Sequence, residues 1–322
     1  TTWYLYLEKS KSNSFDGFLG FGTNEGTGKI EFDGYLDLKL INNLNSGESF
    51  FLTYKSDENE QRTFNVDLKI PYVFKSPIGT SLNLNIFKKD SSFTTTSNKI
   101  GLFYQLNSKH KLQVDYNNNS SNILTNVANN NLEDFNSKFI ILGYEYLSLN
   151  TDDFLFPINT LLNINLGMGR RNQSPNKQEQ QSYSINSSKI FNLNDRNSFF
   201  IRVNGSGLFS DNYFENELFR FGGINSIRGF EENSISASLY GVLNTEYRYR
   251  LSSNIYINSI VDASYFEDKI NNLKEKLYGF GFGLGMLTKA GFFKINYANG
   301  KTGDQKFKLS NSKIHIRLNA KF

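Results

Sequence analysis

The sequence predicts an all-β protein, a transmembrane antiparallel β-barrel of about sixteen strands with one long loop that folds back on itself. Three observations carry this. Segments of about ten residues alternate apolar and polar side chains along nearly the whole chain, separated by turns rich in Asn, Ser, Gly and Asp. Many runs end in aromatic residues, as strands crossing a bilayer interface do: Tyr72 and Phe74, Phe103 and Tyr104, Tyr144 and Tyr146, Phe154 and Phe156, Tyr247 and Tyr249. Residues 219–230, FRFGGINSIRGF, combine Gly222, Gly223 and Gly229 with a single interposed cation near the tip, Arg228, the composition of a loop that folds back on itself.

A soluble sandwich would show the same alternation, its apolar faces sharing a core. Run length separates the two readings, because a bilayer asks for strands of about 9–11 residues. The prolines agree: Pro71, Pro77, Pro157 and Pro175 fall at run ends or in loops, where a ladder can spare the missing N–H. With 30 Phe and 18 Tyr among 322 residues and a mean hydropathy of −0.46, the chain is aromatic yet polar. No stretch approaches the ~18 apolar residues of a membrane-crossing helix. The 35 basic and 31 acidic residues are interspersed and leave a net charge of +4, so no nucleic-acid footprint is expected. There is no Cys, and the only histidines are His110 and His315, so neither a disulfide framework nor a metal site is expected. Adjacent carboxylates such as Asp57 with Glu58, or Glu231 with Glu232, sit in loops with no partner placed beside them; no catalytic residue and no cofactor is expected.

Taken in order, residues 1–12 (TTWYLYLEKSKS) alternate at Trp3, Leu5 and Leu7 and end in a Lys/Ser linker, a strand ahead of the barrel or a plain extension. The barrel is expected over residues 13–322. Its first strand, 14–23, is interrupted by Gly17, Gly20 and Gly22, which lowers register specificity and raises the entropy of ordering it. The closing seam is therefore expected to be the weakest place in the wall. Residues 29–40 set Ile30, Phe32, Leu36, Leu38 and Leu40 against Glu31, Asp33, Asp37 and Lys39. The same period recurs with Leu82, Leu84 and Ile86, with Leu112, Val114 and Tyr116 opposing Gln113 and Asp115, and with Leu162, Ile164 and Leu166. Residues 173–181 (QSPNKQEQQ) read as a solvated loop and not a site.

In 239–251 the alternation sends Leu239, Leu243, Tyr247, Tyr249 and Leu251 toward lipid and Glu246, Arg248 and Arg250 inward; in the next run Ile255, Ile257, Val261 and Tyr265 face out and Asp262 in. Arg228 is the cation available to these two acids, and a bidentate pair would fix the loop to the wall. On the residues alone, the three charges can equally line a wet lumen without meeting. Residues 278–286 (YGFGFGLGM) place Gly279, Gly281, Gly283 and Gly285 inward, a row that marks close approach of another backbone. The final run, KIHIRLNAKF, faces Ile314, Ile316, Leu318, Ala320 and Phe322 outward and His315 inward, His315 reading as a solvated side chain.

These motifs resemble the outer-membrane assembly and secretion barrel superfamily, BamA- and TamA-like and of the surface-antigen type, with two-partner-secretion and patatin-fused relatives. Arg228, Gly229 and Phe230 are similar to its R-G-F loop tip. Glu246 matches the acid before its tyrosine-rich strand end, and Asp262 in SIVDASY matches the Asp of its F-x-D-x-G motif, with Ser264 where Gly is usual. Residues 28–54 and 64–74 look like its second to fourth strands, with an N-L-x-x-G-E-type turn and the dipeptide of Pro71 and Tyr72. Ile316, Leu318 and Phe322 resemble its C-terminal β-signal. The resemblance implies a loop locked in the lumen, residues 1–12 as the last strand of a periplasmic POTRA domain plus linker, and a place in the bacterial outer membrane. It implies as partners the outer-membrane lipid, client outer-membrane or secreted proteins, and periplasmic or lipoprotein subunits. Three functions follow: protein insertion or translocation through a lateral gate at the seam, export or anchoring of a dedicated passenger such as a fused patatin-like lipase, or a general porin. The last would not need the R-G-F loop, the glycine row or the acidic pair.

Overall fold

The alternation closes into a wall. In the computed structural model the backbone is described over residues 12–23, 30–56, 61–124, 131–172, 177–289, 291–303 and 312–321, and the side chains over the same residues apart from 18–23, 30–34 and 321. Of the expectations above, the strand read at 1–12 lies outside these residues except for Ser12, as do Asp57, Glu58 and Phe322. The strands are β1 (Ser14–Thr23), β2 (Ile30–Ile41), β3 (Ser49–Ser56), β4 (Gln61–Ile70), β5 (Ile78–Lys89), β6 (Phe93–Gln105), β7 (His110–Ile123), β8 (Phe135–Leu149) and β9 (Ile158–Asn172). They continue as β10 (Lys177–Asn192), β11 (Asn197–Phe209), β12 (Phe219–Phe221), β13 (Ile235–Ala237), β14 (Leu239–Arg250), β15 (Ile255–Asp268), β16 (Leu273–Leu287), β17 (Gly291–Thr302) and β18 (Ser312–Lys321). Sixteen of them form a closed antiparallel barrel in which neighbours in sequence are neighbours in space. The exception lies between β11 and β14, which pair with each other while the chain between them leaves the wall and forms the separate β12–β13 hairpin.

The period of two decides what each side chain meets. On β7, Leu112, Val114 and Tyr116 are 45%, 51% and 47% exposed on the outer face, while Asp115 between them is 1% exposed inside. The apolar outer face continues around the wall with Ile100, Leu102, Ile140, Leu142, Leu166, Val261, Phe282 and Ile316, as lipid requires. Alternation also corrects the aromatic reading. Phe103 and Tyr104 are consecutive, so they point to opposite faces: Tyr104 is exposed outside, and Phe103 is buried inside against Gly79. Phe156 likewise turns inward onto Tyr256, whereas Phe154 stays in an exposed turn.

The turn between β2 and β3 lies at the end of the barrel where β1 begins and β18 ends. The turn after β2 carries the sequence of the N-L-x-x-G-E type: Asn42, Asn45 and Gly47 take positive φ, Gly47 N donates to Asn42 Oδ1 at 2.8 Å, and the Glu48 carboxylate accepts from Leu44 N and Ser46 N. Those backbone donors, Leu44 first, hold the Glu48 carboxyl below the usual carboxylate range.

The seam is where the wall is thinnest in hydrogen bonds. β1 pairs with β2 at ten positions and β18 with β17 at nine, but β1 and β18 meet at two, Ser14 with Lys321 and Phe15 with Ala320. Both contacts lie at the end near the termini. Beyond Phe15 the edge of β1 and the facing edge of β18 have no ladder partner across the seam among the described residues.

A loop braced inside the lumen: the candidate functional site

Between β11 and β14 the chain folds back into the barrel. It makes a 3-10 turn at Glu215–Glu217, runs along β12, reverses at residues 222–230 and returns along β13. The reversal depends on its glycines: Gly222, Gly223 and Gly229 have φ of 120°, 92° and 91°, and a Cβ at Gly223 would collide with the Glu232 carboxyl.

Arg228, at this loop's tip, is buried at 3% exposure and meets both acids named from the alternation. Its backbone N and Nε donate to Asp262 Oδ2 at 3.0 and 2.8 Å, Nη2 donates to Asp262 Oδ1 at 2.6 Å, and Nη1 donates to Glu246 Oε1. Asp262 thus takes three of the four bonds. Glu246 is shared further, accepting from Arg248 Nε at 2.7 Å and from Lys294 Nζ at 3.1 Å. Arg248 in turn lies over the Phe200 ring at 4.0 Å. Burying five charges is sustainable only when each has opposite charge and hydrogen bonds around it, which this cluster supplies. Lys294 was not among the residues expected here; its inward position on β17 follows the alternation, but nothing in its local sequence marks it. Arg250, expected inside, pairs elsewhere, with Asp153.

Below the tip, Ile227 is fully buried with Phe221, Ala237, Val242, Phe266 and Leu277, and Phe230 packs against the same cluster. Ser264 takes the place of the usual glycine comfortably, donating Oγ to Gly241 O at 2.9 Å. The inward glycine row serves several neighbours and not one backbone. A Cβ at Gly279 would run into the carbonyl oxygen of Arg228, so here the loop does pass close. Gly281 instead faces the β17 backbone at Tyr297 and Ala298, Gly283 makes room for the side chains of Asn296 and Asn258, and Gly285 for the Tyr256 ring. The second close approach of loop and wall is at Gly300, which meets Gly229 and the Phe230 ring; residues 299–300 carry no signal beyond an Asn-Gly pair inside a strand.

A second brace has no counterpart among the expected residues. Arg171 on β9, fully buried, pairs with Glu217 of the loop and donates to Gln178 Oε1, and its guanidinium lies 4.0 Å from the centre of the Phe214 ring. Gln180 Nε2 donates to the same Glu217 at 2.6 Å. Next to it Asn216 Nδ2 donates to Ser121 Oγ and Glu133 O, both at 2.8 Å, and Glu215 pairs with Lys89 at 2.7 Å. The reading of 173–181 as a solvated loop is therefore corrected: Lys177 onward belongs to β10, and residues 173–176 lie outside the described ones. A strand polar on both faces lacks the apolar signal that marks a strand, yet its inward Gln178 and Gln180 hold this brace.

Two further expectations change. His315 is not merely solvated: its Nε2 accepts from Gly229 N at 3.4 Å. Glu231 and Glu232, read as lacking placed partners, reach Lys313 at 2.8 Å and Lys55 at 3.3 Å. The terminal residues Ile316 and Leu318 face outward and exposed, away from the loop.

Fold and site together define a class: a sixteen-stranded membrane barrel whose lumen is occupied by its own long loop, held to the wall by buried ion pairs. The chain belongs to the Omp85 superfamily, whose domain model, described as the Omp85 superfamily domain, matches residues 42–322. Among solved structures it is similar to BamA from Haemophilus ducreyi lacking POTRA domains 1-3, with a TM-score of 0.67 and 15% identity over 96% of this chain and 70% of that one. It is also similar to CdiB from Acinetobacter baumannii and CdiB from Escherichia coli, each with a TM-score of 0.65 and 15% identity over 98% of this chain; it spans 60% and 64% of theirs, less than two thirds. No curated protein sequence matches it.

Proposed function

We propose that this chain is a bacterial outer-membrane barrel that inserts or translocates client outer-membrane proteins through the seam between β1 and β18, without enzymatic chemistry. The observation that carries the reading is the two-position pairing of that seam beside ten and nine positions on its flanks. An edge of this kind offers unpaired N–H and C=O groups to an incoming strand, which is how an extended segment is captured by a sheet. The loop braced inside supports the wall while the seam exchanges partners. Residues 1–12 belong, on this reading, to a preceding periplasmic domain of the POTRA type, and lipid and periplasmic subunits are its further partners.

The test is a covalent seam. The chain has no native Cys, so Phe15→Cys with Ala320→Cys, which replace directly paired residues, give one defined disulfide. Oxidation is expected to abolish client insertion and reduction to restore it. Full activity with the seam demonstrably closed refutes the reading. It would favour export of a dedicated passenger through the lumen, a second reading supported by the cavity of about 550 Å³ beside the loop, lined by Lys99, Asn117, Asn165 and Arg220 among others.

A further inference from the structure

The two carboxylates next to the tip reach opposite sides of the seam. Glu231 pairs with Lys313 on β18, and Glu232 with Lys55 on β3. In the closed order of the wall, β18 borders the seam on one side, and β1, β2 and β3 follow in turn on the other. The two lysines are thus three inter-strand spacings apart, roughly 14 Å along the wall. Two adjacent glutamates, their Cα atoms ~3.8 Å apart, each meeting a long lysine arm, span that distance. Both lysines lie toward the end of the barrel remote from the termini, Lys313 one residue into β18 and Lys55 one residue from the end of β3. At that end β1 and β18 have no ladder bonds among the described residues.

We propose that Glu231 and Glu232 form an electrostatic clasp that holds the unpaired end of the seam together from inside the lumen. Where the wall lacks backbone bonds across β1 and β18, the loop supplies side-chain bonds over the same gap. Glu232 is set for this by the fold: its Oε1 accepts from Ile224 N at 2.7 Å, and its carboxyl packs on Gly223, which leaves Oε2 for Lys55. The bond from Gly229 N to His315 adds a second tie between the loop and β18. Each ion pair is partly open to water, so singly it is weak and screened by salt. Acting together on an edge with few other bonds, the two pairs decide how far β18 stands from β1. The clasp follows from the geometry of loop and wall and does not require that clients use the seam.

Spin labels on Cys introduced at Leu36 of β2 and Ile316 of β18 read the width of the seam by pulsed electron resonance, in a chain with no other Cys. A second pair at Asn225 and Ile257 reports whether the tip has left β15. Raising salt from about 0.1 to about 1 M shortens the screening length from about 10 to about 3 Å and is expected to widen the seam distance distribution. Glu231→Gln with Glu232→Gln is expected to show the wide distribution at both salt levels, with the tip distance unchanged; glutamine keeps an acceptor for Ile224 N, so only charge is removed. The exchange Glu231→Lys with Lys313→Glu is expected to restore the narrow distribution. A double variant with the narrow distribution of the parent at low salt overturns the clasp. So does a widened seam accompanied by a displaced tip, which would assign the effect to Arg228.

Discussion

The loop is pinned at two places by the same chemistry with the polarity reversed. At the tip the loop brings the cation, Arg228, to acids on β14 and β15; at the Glu215–Glu217 turn the loop brings the acid, Glu217, to a cation on β9. The tip is redundant on one side, since Glu246 retains Arg248 and Lys294 when the Arg228 side chain is removed, whereas Asp262 loses both guanidinium donors and its only paired cation and keeps just the backbone N–H of residue 228. The turn has less reserve: without Arg171, Glu217 keeps Gln180 alone among its recorded side-chain donors. A loop tied to the wall at points three to four strands apart can be released at one and remain inside. The difference between the braces therefore bears on whether the loop moves as one body or in two steps.

The largest effect is expected at the tip. Arg228→Ala leaves the buried Asp262 carboxylate without a countercharge and with only the backbone N–H of residue 228, and breaking such a pair costs about 3–5 kcal/mol, with the remaining bond and water in the lumen bringing it toward the lower end. Amide exchange over residues 219–237 should rise accordingly while the wall stays protected. If exchange at the Glu215–Glu217 turn rises equally, the two braces are one cooperative unit and the comparison between them fails.

Glu217→Gln comes next. The glutamine keeps hydrogen-bonding oxygen but leaves the fully buried Arg171 without its carboxylate, at a cost of about 1–3 kcal/mol. Exchange should increase around residues 214–218 and leave the tip protected.

Within the tip, Asp262→Asn is expected to loosen the loop more than Glu246→Gln, because Asp262 takes three bonds from Arg228 and Glu246 one. Equal effects on tip exchange would show that the shared Glu246 cluster, and not the bidentate pair, carries the attachment.

Sterics give the sharpest contrast of small changes. Gly279→Ala on β16 puts a methyl group against the Arg228 carbonyl and should displace the tip, whereas Gly241→Ala on β14 meets nothing within 4 Å and should stay within about 0.5 kcal/mol of the parent in stability. Thermal unfolding with tip exchange separates the two outcomes.

By itself the sequence determined the barrel, the inward or outward direction of most side chains in its strands, and the chemistry of the tip. Alternation is a property of adjacent residues, so Glu246 and Asp262 are inward before any strand is paired; the glycines at 222, 223 and 229 mark a reversal in the same local way. The tertiary structure decided which inward groups meet. The Arg171 and Glu217 pair joins residues 46 apart, and the Gln178 and Gln180 beside it sit in a stretch too polar to read as a strand. Glu231 and Glu232 have no visible role until closure of the wall brings Lys313 and Lys55 to either side of them. The seam divides in the same way. Its glycines announced weak register locally, but the length of its pairing depends on how sixteen strands share the strain of closure, which no segment of the chain encodes alone.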